Sequence, residues 1–152
     1  MNEIQIDQVL HIYNETLYTN IDFKASHELL KGSFQQKILI LISKEDNLPA
    51  NQELLAKMLS ACKLQEADYQ ISMLVEKNAV LSIINQLNPE TVILFGLSLN
   101  NEAFNAQKNV YKPFRFNNIK FLLSNSLSEV SANAAMKSSL WTTGLKPLFN
   151  IQ

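Results

Sequence analysis

The sequence predicts a three-layer α/β/α domain with a central, mainly parallel four-stranded sheet, preceded by an N-terminal helix. Three observations predict it. Short, continuous apolar runs such as KILILIS and TVILFGL recur along the chain, and such runs suit strands covered on both faces. Between them stand apolar stripes at helical period. The two kinds of segment alternate, which favours parallel strands joined by crossover helices.

Each element can be taken in order. Ile6, Val9, Leu10, Tyr13 and Leu17 fall at i, i+3, i+4, i+7 and i+11 and define an amphipathic helix. It either packs on its own domain or lays its apolar anchors in a partner's groove. Residues 19–36 are polar enough for a linker, although Ile21, Phe23, Leu29, Leu30 and Phe34 can dock it. The boundary is therefore placed after Gln36: helix and linker in 1–36, the α/β/α domain in 37–152. KILILIS (37–43) is the first strand, and KEDNLP is a loop ending at Pro49. Leu54, Leu55, Met58, Leu59 and Cys62 then form the stripe of a helix starting near Ala50. ADYQISMLV (67–75) is the second strand. Ala79, Val80, Ile83, Ile84 and Leu87 make the next helix, stopped by Asn88-Pro89. TVILFGL (91–97) is the third strand and 100–106 a short helix. Residues 110–116 read as an extended edge interrupted by Pro113. IKFLLSN (119–125) is the fourth strand, and a final helix runs from about Ser128 to Thr142, ended by Gly144 and Pro147.

Composition narrows the function. The 152 residues suit one domain, and 47% are apolar, enough for a substantial core. The net charge of −1 provides no global field for nucleic acid or membrane. Of the 13 basic residues only Arg115 is an arginine, which argues against extensive phosphate gripping. Cys62 is alone, so one chain can build neither a disulfide framework nor an all-cysteine metal site. His11 and His27 lack metal-ligand spacing, and neither metal nor cofactor is expected. No charged stretch precedes an apolar core at the N-terminus and no apolar run reaches the ~20 residues of a transmembrane helix. A cytoplasmic protein is expected.

In a parallel sheet of this kind ligand sites gather at the carboxyl ends of the strands. That directs attention to the loops at 43–49, 97–101 and 124–128. The pair Glu45-Asp46 is either a general base or cation ligand, or simply a polar turn between strand and helix. Phe95 belongs to the core or to a pocket. Asn133, Lys137, Leu140 and Trp141 share a helical face, read as packing against the sheet with Lys137 snorkelling. Lys108, Lys112, Arg115 and Lys120 form an acid-free basic stretch interleaved with Tyr111, Phe114 and Phe116. It is a candidate for weak, salt-sensitive contact with single-stranded nucleic acid, or else a solvated edge with its rings turned inward.

Three stretches carry a resemblance. LPANQELLAKMLSACKLQEADYQI, TVILFGLSLNNEAF and SNSLSEVSANAAMKSSLW together resemble, in order, the uracil-DNA glycosylase superfamily over about residues 37–145. The resemblance implies a site formed by the loop after the first strand and by the closing motif. This chain departs from the family at both. The first loop reads SKEDNLP, with no glycine to present a water-holding residue, although Asp46 and Asn47 stand near that place. Where the family has His-Pro-Ser, the chain has Ser126-Leu127-Ser128. Cleaving the bond to uracil leaves negative charge on the base, and losing one positioned donor typically costs about a hundred- to a thousandfold in rate. Asp46, Asn47, Ser126 and Ser128 thus read as a degenerate pocket.

The chain is also similar in size and layout to the psi subunits of bacterial DNA polymerase III. The likeness includes Asn47–Ala50 after a buried strand, and the ending Leu127-x-x-Val130-x-x-Asn133-x-x-x-Lys137-x-x-Leu140-Trp141. That resemblance implies a non-catalytic accessory subunit of the clamp loader. Its N-terminal helix (Ile6, Val9, Leu10, Tyr13, Leu17) would hold the clamp loader. Its domain would hold a second partner, a chi-like subunit or single-strand-binding protein. The alternatives are an active uracil-DNA glycosylase-type repair enzyme and a small-ligand or regulatory domain in the same fold.

Overall fold

The computed structural model describes residues 27–76, 79–97, 99, 101–107 and 109–151. The predicted N-terminal helix, with Ile6, Val9, Leu10, Tyr13 and Leu17, lies outside them, as does Lys108.

Six strands, rather than four, form one sheet: β1 (His27–Gly32), β2 (Ile38–Ser43), β3 (Tyr69–Leu74), β4 (Thr91–Phe95), β5 (Phe114–Phe116) and β6 (Ile119–Ser124), in the order β1-β3-β2-β4-β6-β5. The four apolar runs are the parallel strands β2, β3, β4 and β6. The two additions are antiparallel edges, β1 on β3 and β5 on β6. β1 lies before the boundary placed after Gln36, in the stretch read as a linker. Its sequence HELLKG buries little, and its pairing is irregular between Leu29 and Lys31. An edge strand needs neither a continuous apolar run nor a clean alternation, so β1 left no periodic signal. At the other edge only Phe114–Phe116 is strand, and Val110 makes an isolated bridge to Leu123.

The continuous apolar runs divide residue by residue between two layers. Ile38, Ile40 and Ile42 face one core, and Leu39 and Leu41 face the other. This is the two-residue period of a pleated strand buried on both sides. Ile40 stands opposite Ile71 in β3 and Ile93 in β4, all in the first layer. Helix α1 (Pro49–Ala61) covers that layer with Leu55, Met58 and Leu59. Pro49 at the first helical position has the backbone angle a helix start requires. Helix α2 (Val80–Leu87) covers the second layer with Val80, Ile83 and Ile84. It ends where Asn88 turns left-handed, at φ 51°, and returns its amide to Ile84. Helix α3 (Glu102–Gln107) adds Phe104 to the same layer. Each such side chain, fully buried, contributes about 1.5–3 kcal/mol.

The predicted single helix from Ser128 to Thr142 is instead broken. Helix α4 (Leu127–Ala132) stops at Asn133, which is extended at φ −136° and ψ 110°. Asn133 then caps α5 (Ala134–Ser139), its side-chain oxygen accepting the Met136 amide at 3.1 Å. A π-helical turn (Leu140–Leu145) and a last short turn, α6 (Lys146–Leu148), follow. The break arises because Asn133 offers the backbone a capping bond in place of a continued helix. Trp141 is half-buried against the first layer and Lys137 is exposed. Phe95 is core.

Candidate functional site

Along the sheet the strand order reverses between β2 and β4. In a doubly wound sheet the crevice outside that reversal is where ligands bind. Here the loops after β2, β4 and β6 meet each other.

The loop after β2 is a 3₁₀ turn, Lys44–Asp46, that carries Asp46 into the interior, 2% exposed. One carboxylate oxygen accepts the Leu127 amide at 2.6 Å and the other accepts the Ser128 amide at 3.3 Å. These are the first two amides of α4, which have no partner within the helix. The third, of Glu129, is accepted by Ser126 Oγ at 3.2 Å. Glu129 returns a bond to the Ser126 amide, completing a capping box. The next amide, of Val130, makes the first intrahelical bond, to the Ser126 carbonyl at 2.9 Å. The four orphan donors of the helix start, the amides of Ser126, Leu127, Ser128 and Glu129, are thus satisfied by side chains of the chain itself.

Asn51 completes the joint. It lies buried in α1, and its side-chain amide donates to the Asp46 carbonyl at 3.0 Å and to Ser128 Oγ at 2.9 Å. From β4, Gly96 (φ +68°) donates its amide to the Ser124 carbonyl at 2.8 Å. A methyl group on Gly96 would stand 3.1 Å from Ser126 Cβ. Only glycine supplies that backbone angle without strain while letting the two loops come this close.

Of the four residues read as a degenerate pocket, the structure brings Asp46, Ser126 and Ser128 together and separates Asn47 from them. The contacts of Asn47 are with the Gln52 side-chain amide and the Met73 thioether. The chemical consequence is direct. Backbone amides that could face a developing anion already hold one, the Asp46 carboxylate. That carboxylate in turn has almost no surface at which water or a base could meet it. Ser126 is a helix cap. Nor is Cys62 a nucleophile in waiting: it is buried, and burial pushes its thiol up to about 11, so it stays protonated at neutral pH. Burial likewise lowers the pKa of His27. No group of three or more His, Cys, Asp or Glu among the described residues is placed to hold a metal ion.

Sequence reasoning missed Asn51 and the cap. Ser126-x-x-Glu129 is itself a capping-box signature and could have been read as one. Asn51 had no such signal, because its partner Ser128 is distant in the chain.

At the β5 edge the basic and aromatic residues part company. Phe114 and Phe116 pack around Phe104 and Phe121 with ring centroids 5.1–6.3 Å apart. Tyr111 donates its hydroxyl to Asn125 and packs on the first layer. Arg115 and Lys112 are exposed, and Lys120 is half-buried. The rings read as candidates for base stacking are thus engaged with the protein's own core.

No protein-family model matches this chain, and no curated protein matches it either. No helix among the described residues is long and apolar enough to cross a membrane.

Proposed function

We propose that this chain is a non-catalytic, psi-like accessory subunit of the replicative DNA polymerase III clamp loader, a protein–protein connector working in the cytoplasm. The observation that carries the reading is the closed joint. Asp46 is bound to the helix start that a glycosylase would need open, so a fold of the glycosylase class is left without a place for its chemistry. An active glycosylase would need Asp46 or Asn47 free to position water, and both are engaged. With catalysis set aside, the α/β/α body serves as a rigid block that presents surfaces. The N-terminal segment, with its apolar anchors Ile6, Val9, Leu10, Tyr13 and Leu17, holds the clamp loader in the helix-in-groove manner. The body holds the second partner, a chi-like subunit or single-strand-binding protein.

The full chain, immobilised, is expected to retain clamp-loader subunits. Removing residues 1–20 is expected to abolish that retention while the remaining domain keeps its circular dichroism. Retention unchanged by the deletion would break the assignment of the partner-binding helix. No retention by the full chain would remove the clamp loader as partner.

A further inference from the structure

The β5 edge carries a feature that neither the fold nor the closed joint uses. In the β5–β6 pair Arg115 stands directly opposite Lys120. Like charges in that position are destabilising. Among the described residues neither has an ion-pair partner; the one ion pair recorded there joins Lys57 to Glu53. The two cations line an open groove of about 340 Å³, whose other walls are Pro113, Phe114, Pro147 and Leu148. Arg115 is the only arginine of the chain, and its planar fork matches a carboxylate in a way that a lysine ammonium does not.

We propose that this groove is a docking site for a short acidic segment of a partner protein. One carboxylate enters between Arg115 and Lys120, and a neighbouring apolar side chain lies against Pro113, Pro147 and Leu148. Three observations favour a peptide over a nucleic acid. The groove itself holds only two cations, Arg115 and Lys120, whereas a phosphate backbone demands a run of contacts. Apart from the two cations the walls are two prolines, Leu148 and Phe114, and Phe114 is stacked on Phe121 at 5.8 Å rather than presented to a base. Finally, β5 is the terminal strand of the sheet, an edge at which an extended segment can align. The site belongs to the α/β/α body, so it stands whether or not the N-terminal helix binds a clamp loader.

The experiment is a titration of the ¹⁵N-labelled full chain with an eight-residue peptide of alternating Glu and Leu. Parallel arms use the same peptide with Gln for Glu, and a twelve-residue oligothymidylate. The Glu peptide is expected to shift the amides of 114–116, 120 and 148. The Gln peptide should bind at least tenfold more weakly. Arg115→Ala should reduce affinity at least tenfold and Arg115→Lys several-fold, while Lys57→Ala, in α1 and not part of the groove's walls, should leave it unchanged. Arg115 is exposed, so these variants should fold, and their undisturbed spectra verify it. The proposal is overturned by equal binding of the Glu and Gln peptides, by no binding of either, or by binding that survives Arg115→Ala. Oligothymidylate binding more tightly, with the same dependence on Arg115, would overturn it in favour of a nucleic-acid site.

Discussion

Replacing Asp46 by alanine is expected to lower the stability of the protein by about 2–4 kcal/mol, measured by denaturant unfolding. The substitution removes two charge-assisted hydrogen bonds, each worth about 1.5–3 kcal/mol, and strands the donors that made them. The Leu127 amide, bound at 2.6 Å, then lies in a buried site with no acceptor. Its loss propagates, because the same joint fixes Asn51 against Ser128 and hence α1 against α4. Asp46→Asn should cost less, since one carbonyl oxygen can still accept, but its amide group would face a backbone N–H. A water-positioning carboxylate behaves in the opposite way: removing it abolishes turnover and leaves stability unchanged or raised, because active sites trade stability for function. A cost below about 0.5 kcal/mol would therefore count against the structural role assigned to Asp46.

Phe104→Ala is expected to be costlier still, about 3–5 kcal/mol, the usual range for deleting a buried phenylalanine. Phe104 is 0% exposed and touches the rings of Phe114, Phe116 and Phe121 at centroid distances of 5.4, 5.3 and 5.1 Å. It anchors α3, whose start is held by the Asn101 side chain accepting the Phe104 amide at 3.0 Å. It also holds β5, a strand of only three residues that is paired on one side alone. The cavity left by alanine would therefore be felt first at the edge. Amide hydrogen exchange at Phe114–Phe116 should accelerate more than at β2 or β4, and affinity at the Arg115 groove should fall with it. Phe104→Leu, which refills part of the space, should recover more than half of the lost stability. Uniform acceleration across all strands would show that the edge does not depend on this ring in particular.

These two residues also mark what the sequence disclosed and what it concealed. The parallel strands were legible because each is buried on both faces and so must be apolar throughout; KILILIS has no other good use in a small domain. Helices α1 and α2 were legible because each buries one stripe. β1 was concealed because an edge strand is held by backbone bonds that HELLKG makes without an apolar signature. The break at Asn133 was concealed because a capping side chain competes with the helix locally, and no periodicity records that competition. The burial of Asp46 was concealed most completely. A carboxylate in a polar loop reads as a turn or a candidate base, and it can be buried only where stranded amides await it, here supplied by a loop some eighty residues later. The loops after the first and last parallel strands do meet, but the chemical state of Asp46 depends on a contact that no local pattern contains. The inward turn of Phe114 and Phe116, by contrast, was one of two readings that the sequence left open, and packing around Phe104 decided it.

The most direct measurement of the closed joint is release of free uracil from uracil-containing single- and double-stranded DNA by the purified full chain, with Asp46→Ala beside it. The account predicts release indistinguishable from a protein-free control for both proteins. Uracil release that co-purifies with the wild-type chain and disappears in Asp46→Ala would contradict it, because a carboxylate committed to the start of α4 cannot also serve a hydrolytic water.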